Sequence, residues 1–290
     1  MSDFIKRHQD HFNFKQFISN AFKEDVGDGD HTALSTIPKN HKGKMQLLVK
    51  EDGIIAGITA AERIFKQVDK NFKVKFFIKD GARVKKGDIA FTIEGSTQKL
   101  LTAERLVLNI MQRMSGIATK THEITDLLAG TNTKVLDTRK TTPGLRYLEK
   151  WAVRIGGGIN HRFGLYDMIL IKDNHVDYSG GIRRAIENAT AYLKENNKKL
   201  AIEIEVRNID ELEQVIQTGG VQRILLDNFN FEDLRQAVKI IEGRYITEAS
   251  GGITIDNIRD YADCGVDYIS VGALTHSVKS LDLSLKAVKL

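Results

Sequence analysis

The chain has 290 residues, of which 41% are apolar and 28% are charged, and its formal net charge is +5. This length allows one large or two modest domains with a buried core. The single cysteine excludes an internal disulfide framework and a zinc site built from cysteines. No run of five basic residues occurs and aromatic residues make up only 7%, so no nucleic-acid surface is expected.

The sequence also predicts no membrane-spanning segment, because no apolar run approaches the roughly 18 residues that a bilayer requires. The opening stretch, MSDFIKRHQDHFNF, is polar and lacks the apolar centre of a signal peptide. We therefore expect a cytoplasmic protein without membrane contact.

The first hundred residues predict a small β-rich (α+β) domain. Helical spacing and strand alternation follow one another there. The predicted elements are a helix over 14–22, a strand over 44–49, a helix over 59–68, a strand over 71–78 and short β runs over 79–95. A polar, glycine-rich loop over 24–33 contains Asp30 and His31, whose role, structural or beside the site, the sequence leaves open.

The remaining residues predict alternating strands and helices after a long amphipathic helix over 102–128. The predicted strands cover 134–136, 168–171, 201–206, 223–226, 245–249 and 268–271. The predicted helices between them cover 145–155, 182–193, 209–217, 231–241 and 255–264. Repeated βα units with apolar strands form a parallel sheet covered by helices. We therefore predict an irregular, incomplete α/β barrel.

This organisation predicts two domains. Residues 1–112 form the N-terminal, sandwich-like α+β domain. Residues 113–290 form the barrel domain, which is expected to carry the catalytic residues. The last helix of the barrel domain can pack against the N-terminal domain in this arrangement.

Basic side chains cluster where predicted strands end. Arg139 and Lys140 directly follow one strand, and Lys172 follows the next. His161 and Arg162 lie between them in the glycine-rich stretch GGGINHRFG, which could otherwise be only a helix cap and connector. In α/β proteins the loops after the strands form the ligand site. Since arginine clasps carboxylates and lysine suits phosphate, the pattern predicts a pocket for a ligand with several negative charges.

Acidic side chains are predicted beside these cations. In IEIEV, Glu203 and Glu205 point to the same side of the strand, because side chains alternate along it. Asp227 ends the next strand. Buried carboxylates are costly unless they meet cations, a metal or hydroxyl groups, so these acids fit ribose and a magnesium ion. The alternative is a salt bridge to Lys140 or Lys172 with no ligand.

Small residues follow the last two predicted strands, as Ser250, Gly251 and Gly252 and then as Val271, Gly272 and Ala273. Their backbone N–H groups are expected at helix N-termini, where the helix dipole favours phosphate. Two such loops late in a βα series are typical of the phosphate cup of a barrel enzyme.

Several strings resemble those of the quinolinate phosphoribosyltransferases, also called nicotinate-nucleotide pyrophosphorylases (carboxylating). They are TRKTTPGLR, GGGINHRFGLYDMILIKDNH, ILLDNF, EASGG and VDYISVGALTHS. The similarity covers nearly the whole chain, including EDVGDGDHT and TAERLVLNIMQRMSGIAT. It implies a pentosyltransferase of NAD biosynthesis. Such an enzyme transfers phosphoribosyl from phosphoribosyl pyrophosphate (PRPP) to quinolinate with decarboxylation, giving nicotinate mononucleotide, pyrophosphate and CO2.

The resemblance also implies a role for each candidate residue. The residues that would hold the quinolinate carboxylates are Arg139, His161, Arg162 and Lys172. The catalytic residues that would serve PRPP are Lys140, Glu205 and Asp227, the two acids meeting its Mg²⁺ indirectly through PRPP and water, with Thr138 beside them. The 5-phosphate would lie against 250–252 and 271–273. A head-to-tail homodimer, or a hexamer built from it, would bring Arg105 of one subunit to the site of its neighbour.

Two other functions are weighed against this reading. Within the same family, the substrate could be another anion, as in the relatives associated with molybdenum transport. From a different class, a non-enzymatic anion-binding or RNA-binding protein could use a basic cleft. Such a protein would not need Glu205 and Asp227 beside the bases, which favours the enzyme.

Overall fold

The structure, a computed structural model, describes residues 12–288, so the polar opening stretch through residue 11 lies outside the described residues. Contacts within the described chain divide it into two compact units. One comprises residues 12–122, 142–157 and 277–288, and the other comprises 123–141 and 158–276. The chain therefore passes between the units more than once. The division into two domains after residue 112 stays a prediction.

Helices and strands alternate through most of the described chain. The helices α1 to α11 are, in order, Phe14–Val26, His31–Thr36, Ile58–Val68, Thr97–Leu127, Arg146–Ile155, Asp173–Ser179, Ile182–Glu195, Ile209–Thr218, Phe231–Ile241, Ile258–Asp263 and Ala273–His276. The strands β1 to β12 are Lys42–Val49, Gly53–Ile54, Lys73–Phe76, Arg83–Val84, Ile89–Ser96, Lys134–Leu136, Ile169–Ile171, Ile202–Val206, Arg223–Asp227, Ile246–Ser250, Tyr268–Ser270 and Leu283–Ala287. No helix among them is long and apolar enough to cross a membrane.

The first unit is built on an antiparallel sheet with strand order β12-β1-β5-β3. Alternate residues of β1 are buried, as a strand with one covered face requires. Helix α3 packs on this sheet, since the ring centroids of Phe65 and Phe91 lie 5.6 Å apart. The predicted β-rich N-terminal domain is thereby confirmed.

The second unit is built on a parallel sheet with strand order β6-β11-β10-β9-β8-β7. Strands β6 and β7 are its two edges and are not paired with each other, so the barrel is not closed. An isolated parallel bridge joins Leu136 of β6 to Ile159. All five residues of β8 are buried, which places charged Glu203 and Glu205 inside the unit. The prediction of an incomplete α/β barrel is confirmed.

The end of the chain differs from the sequence prediction. Strand β12, Leu283–Ala287, was not among the predicted elements, and it pairs antiparallel with β1. Leu281, Leu283 and Leu285 are buried while the residues between them are not, so the alternation is that of a strand.

The polar loop near the N-terminus is shorter than predicted, because α1 extends to Val26 and α2 begins at His31. Asp30 caps α2: one carboxylate oxygen accepts a hydrogen bond from Ala33 N at 2.9 Å. The other oxygen accepts from Thr102 Oγ1 at 3.1 Å. His31 is exposed and lies 3.4 Å from an Asp28 oxygen. The contacts of Asp30 give it a structural role.

Candidate active site

A cavity of about 640 Å³ lies in the second unit. Strands of a parallel sheet end at one edge, so residues that follow different strands meet there. Predicted site residues that line the cavity are Thr138, Arg139, Lys140, His161, Arg162, Lys172, Glu205, Asp227, Ser250, Gly251, Gly252, Val271, Gly272 and Ala273. Arg105 is exposed on α4 of the first unit and is not among them.

Arg139 and Arg162 form the cationic part of the cavity. Burial lowers the pKa of Arg162, and the positive charge of Arg139 lowers it further. The Arg162 Nη1 group donates to Met168 O at 3.2 Å, which fixes one side of the guanidinium. Two guanidinium groups that repel each other inside a cavity favour a ligand with carboxylates between or beside them.

Lys172 and Glu205 form an ion pair on the cavity wall, with Lys172 Nζ 2.7 Å from Glu205 Oε2. Glu205 is 6% exposed, so its charge needs this partner. The salt bridge that the sequence left open as an alternative is therefore present for Glu205, inside a cavity large enough for a ligand. Glu203 does not line the cavity and lies deeper.

His161 meets two buried carboxylates. Its Nε2 atom lies 2.9 Å from Glu203 Oε2 and 3.3 Å from Glu248 Oε2. Burial opposes the charged imidazolium, but the two carboxylates outweigh it and raise the pKa of His161 to about 9. Arg162 N donates to His161 Nδ1 at 2.7 Å, which disfavours a proton on that atom. The two nearby carboxylate charges outweigh the one neutral N–H group, so we take His161 as protonated at neutral pH. An imidazolium has no acceptor atom, so this state gives up the hydrogen bond from Arg162 N.

Asp137 and Asn160 fix the loop that carries His161 and Arg162. Asp137 is fully buried at the end of β6 and accepts a hydrogen bond from His161 N at 2.9 Å. Its other oxygen accepts from Asn160 Nδ2 at 2.5 Å. The backbone of this loop is therefore tied to the sheet beside it.

Asp227 lines the cavity in a corner with Ser250 and Asn228. Ser250 Oγ donates to Asp227 Oδ1 at 2.5 Å, and Asn228 Nδ2 donates to Asp227 Oδ2 at 2.6 Å. Gly251 has a φ of +89°, and a Cβ there would meet Asn228. Only glycine fits both this backbone conformation and this close approach.

The backbone after β11 approaches Lys140 closely. A Cβ on Gly272 would lie 3.0 Å from Lys140 Cδ and 3.1 Å from His276 Nε2. Thr275 Oγ1 donates to Lys140 O at 2.8 Å. Gly272 directly precedes α11, but α10 begins only at Ile258, so residues 250–252 are not at a helix N-terminus as the sequence suggested.

The cavity supplies oxygen donors suited to a magnesium ion. Glu205 and Asp227 both line it with carboxylates, the ligand type that Mg²⁺ prefers, usually together with water and phosphate oxygens. His161, Glu203 and Glu248 also hold ligand atoms within 4.8 Å of one another. That group does not suit Mg²⁺, because a protonated imidazole already occupies the space between the carboxylates.

Sequence reasoning missed several residues of this site, above all Glu248, Asn228 and His276 in the cavity and Asp137 and Arg223 behind it. Strand periodicity carried a signal for two of them. Glu248 precedes Ser250 by two positions, and Arg223 precedes Asp227 by four, so each shares a strand face with a predicted site residue.

Fold and cavity together define a class of protein: an open α/β barrel whose strand ends bind a small polyanion between cations and acids. Family models identify the class more closely. The quinolinate phosphoribosyl transferase N-terminal domain matches residues 30–115, and the C-terminal domain of the same family matches residues 117–286. The chain belongs to the quinolinate phosphoribosyltransferase family, as its motifs predicted.

Named relatives agree with this assignment. The chain is 44% identical to quinolinate phosphoribosyltransferase [decarboxylating] 2, mitochondrial, of Nicotiana glauca, over 95% of this chain and 82% of the relative. It is 42% identical to a probable nicotinate-nucleotide pyrophosphorylase [carboxylating] of Bacillus subtilis, over 95% and 93% of the two chains. The crystal structure of NadC from Streptococcus pyogenes superposes with a TM-score of 0.90 at 39% identity, over 96% and 98%.

Proposed function

We propose that this protein transfers the phosphoribosyl group of PRPP to quinolinate and releases CO2 and pyrophosphate, leaving nicotinate mononucleotide. The family assignment supports the reaction. The observation that carries it is the cavity itself, which is lined both by Arg139 and Arg162, whose charges repel each other, and by the acids Glu205 and Asp227. The negative charges of a dicarboxylate would offset the repulsion between Arg139 and Arg162, and a ribose with its metal ion suits Glu205 and Asp227.

Quinolinate binds at the cationic part of the cavity. Arg139 and Arg162 are suited to clasp its two carboxylates through paired N–H groups. Lys172 adds a mobile charge that can leave Glu205 for the substrate. His161 contributes its positive charge from the floor of the cavity.

PRPP binds across the remaining strand ends. Its 5-phosphate lies against the backbone of residues 250–252 and 271–273, and Lys140 offsets the negative charge of the donor. Glu205 and Asp227 lie near the ribose hydroxyls and reach the metal through PRPP and water. When bound, Mg²⁺ neutralises charge on the departing pyrophosphate.

The chemistry requires positioning and electrostatic stabilisation rather than a general base. The pyridine nitrogen forms a bond to the anomeric carbon as the bond to pyrophosphate breaks. Positive charge develops on the ribose, where Glu205 and Asp227 stabilise it. The nitrogen is then quaternary and draws electrons, so the bond to the 2-carboxylate breaks with its electron pair left on the ring carbon, CO2 leaves, and that carbon takes a proton from water.

A homodimer with shared sites completes the proposal, with Arg105 of one subunit reaching the site of the other; a hexamer would contain the same pairs. Arg105→Ala and Lys172→Ala proteins should each be nearly inactive. After subunit exchange, some mixed dimers contain one site free of both substitutions, so activity should partly return. Exchange verified by mass spectrometry without any return of activity would contradict shared sites.

We also propose that the protein is located in the cytoplasm, as expected from the sequence. Plant relatives are named as mitochondrial or chloroplastic.

The reaction is tested by identifying the product. Protein incubated with quinolinate, PRPP and Mg²⁺ should form nicotinate mononucleotide, detected by mass spectrometry, and nicotinate in place of quinolinate should give little product. If nicotinate or another monocarboxylate is the better acceptor, the protein is instead a related phosphoribosyltransferase that acts on another anionic substrate.

A further inference from the structure

A cluster of four charged side chains lies inside the second unit, beneath the cavity. It contains His161, Glu203, Glu248 and Arg223. Arg223 Nη1 lies 3.1 Å from Glu248 Oε2, and Arg223 Nε lies 3.8 Å from Glu203 Oε1. Both glutamates are fully buried, whereas the Arg223 side chain is 19% exposed.

The cluster extends from the amino end of the sheet to the floor of the cavity. Arg223 is the first residue of β9, pairs in register with Glu203 of β8, and stacks 4.8 Å above the ring of Tyr268 on β11. Arg223 does not line the cavity, whereas Glu248 and His161 do. Changes at Arg223 can therefore reach the cavity only through its neighbours.

The charges of the cluster favour a proton on His161. Glu203 and Glu248 lie within 3.3 Å of its Nε2 atom, and burial makes their negative charge costly unless cations face it. Arg223 is the second cation of the cluster, and the charge of Arg162 also acts on Glu203. Burial raises the pKa of Glu203. Burial acts on Glu248 in the same direction, but the contact with His161 outweighs it and holds the pKa of Glu248 low. Glu248 is therefore the carboxylate whose negative charge faces His161.

His161 transmits this arrangement to a substrate-binding residue. Arg162 N lies 2.7 Å from His161 Nδ1, and this contact is a hydrogen bond only while Nδ1 carries no proton, so protonation of His161 acts directly on the backbone of Arg162. The backbone N–H of His161 donates to Asp137. The charged groups around the imidazole are thus Glu203 from β8, Glu248 from β10 and Arg223 from β9. Asp137 at the end of β6 meets only its backbone, and Arg162 follows it in the chain.

We propose that Glu248 and Arg223 are positioning residues for His161. Glu248 and Glu203 keep His161 charged, Arg223 holds the two carboxylates in place, and together they orient His161 and thereby set Arg162 for the carboxylates of quinolinate. This inference rests on the proposed function for its substrate, but not for the charge of His161. Glu248 and Arg223 act through His161 rather than by contact with quinolinate.

The first experiment measures steady-state kinetics of Glu248→Gln and Arg223→Gln at pH 6 and pH 8. At pH 8 we expect the KM for quinolinate to rise about tenfold or more and the KM for PRPP to change by less than about twofold. At pH 6 the ratio of variant to wild-type KM should shrink in Glu248→Gln, since His161 regains its proton there. A merely structural defect would affect both substrates and would not recover at low pH, and that result would overturn the proposal.

The matched control is Asp267→Asn. Asp267 accepts from Thr247 N and Oγ1 at 2.8 Å, so this change also weakens β10, the strand of Glu248, but it removes no charge from the cluster. It should lower stability without a pH-dependent change in the KM for quinolinate. The same pH-dependent change in Asp267→Asn would show that Glu248 has no particular role.

The second experiment follows His161 by NMR during a pH titration of the wild-type protein, with the resonance assigned by its loss in His161→Gln. We expect His161 to remain charged above pH 8, and Glu248→Gln to lower its midpoint. A midpoint near the ordinary 6.5 in the wild type would overturn the proposal even if both variants failed to fold. Because no substrate is present, this result is separate from failure of the proposed function, which absence of turnover in the wild type would reveal.

Discussion

Replacing Gly251 by alanine should damage the Asp227 corner of the cavity. Gly251 has a φ of +89°, and an added Cβ would lie 2.5 Å from Asn228 Cγ and 3.0 Å from Asn228 N. Asn228 cannot easily retreat, because its N–H donates to Ser250 O at 2.8 Å and its side chain donates to Asp227. The clash therefore falls on the residues that we assign to PRPP.

Gly252→Ala is the matched control for this change. Gly252 also has a positive φ, +63°, but nothing lies within 4 Å of its added Cβ. Left-handed backbone costs alanine about 1–2 kcal/mol in both variants. Overpacking against Asn228 adds about 1–3 kcal/mol in Gly251→Ala alone. The difference in free energy of unfolding between the variants should therefore be about 1–3 kcal/mol.

Chemical denaturation measures this difference, and steady-state kinetics measures its effect on the site. The KM for PRPP should rise by about tenfold or more in Gly251→Ala, the change that about 1.4 kcal/mol of lost binding produces. It should rise less in Gly252→Ala. Equal stability and equal KM values in the two variants would refute the reasoning about the contact with Asn228.

Three further predictions concern the charged residues. Arg162→Lys keeps the charge but loses the planar pair of N–H groups. The kcat/KM for quinolinate should therefore fall by a factor equivalent to about 2–4 kcal/mol of transition-state stabilisation. Near wild-type activity would remove Arg162 from the site. Lys140→Ala should lose turnover yet still bind quinolinate in calorimetry; complete loss of binding in a folded variant would contradict the separate assignment of the two substrates. His161 has a folded pKa of about 9 against 6.5 unfolded, so it stabilises the fold by about 3 kcal/mol below pH 6.5, and this stability is lost as the pH rises through 9. Denaturation of His161→Gln should show a shallower loss of stability between pH 7 and pH 10, and an unchanged slope would contradict the assigned charge.

The strand ends of the second unit could be predicted from sequence because their signals are local. Apolar stretches such as Val135–Leu136 and Leu170–Ile171 are followed at once by charged residues. Parallel strands in βα units end on the same side, so adjacency to a strand end was enough to group Arg139 with Lys172. The structure indeed places both at one cavity.

Charges inside strands were harder to interpret. Glu248 and Arg223 are polar residues within apolar strands, and only their neighbours in the sheet show what they contact. The order β11-β10-β9-β8 brings Glu248 and Arg223 together, and that order is not a local property of the sequence. The partner of a buried charge therefore remained unknown until the strands were arranged.

Two of the missed elements, β12 and α6, were missed for different reasons. The alternation of Leu281, Leu283 and Leu285 at the start of β12 is one that periodicity could have identified, although the pairing of β12 with β1 is distant in sequence. Helix α6, Asp173–Ser179, is short and polar, and Lys172 N donates to His175 Nδ1 at its start. Such a segment has little hydrophobic periodicity to reveal it.

The central claim, phosphoribosyl transfer coupled to decarboxylation in this cavity, is tested most directly by release of labelled CO2. Quinolinate labelled in its 2-carboxylate is incubated with the protein, PRPP and Mg²⁺, and labelled CO2 and pyrophosphate are measured together. The account predicts equal amounts of the two products, and neither product when PRPP or Mg²⁺ is omitted. Pyrophosphate released without labelled CO2, or labelled CO2 released without PRPP, would contradict it.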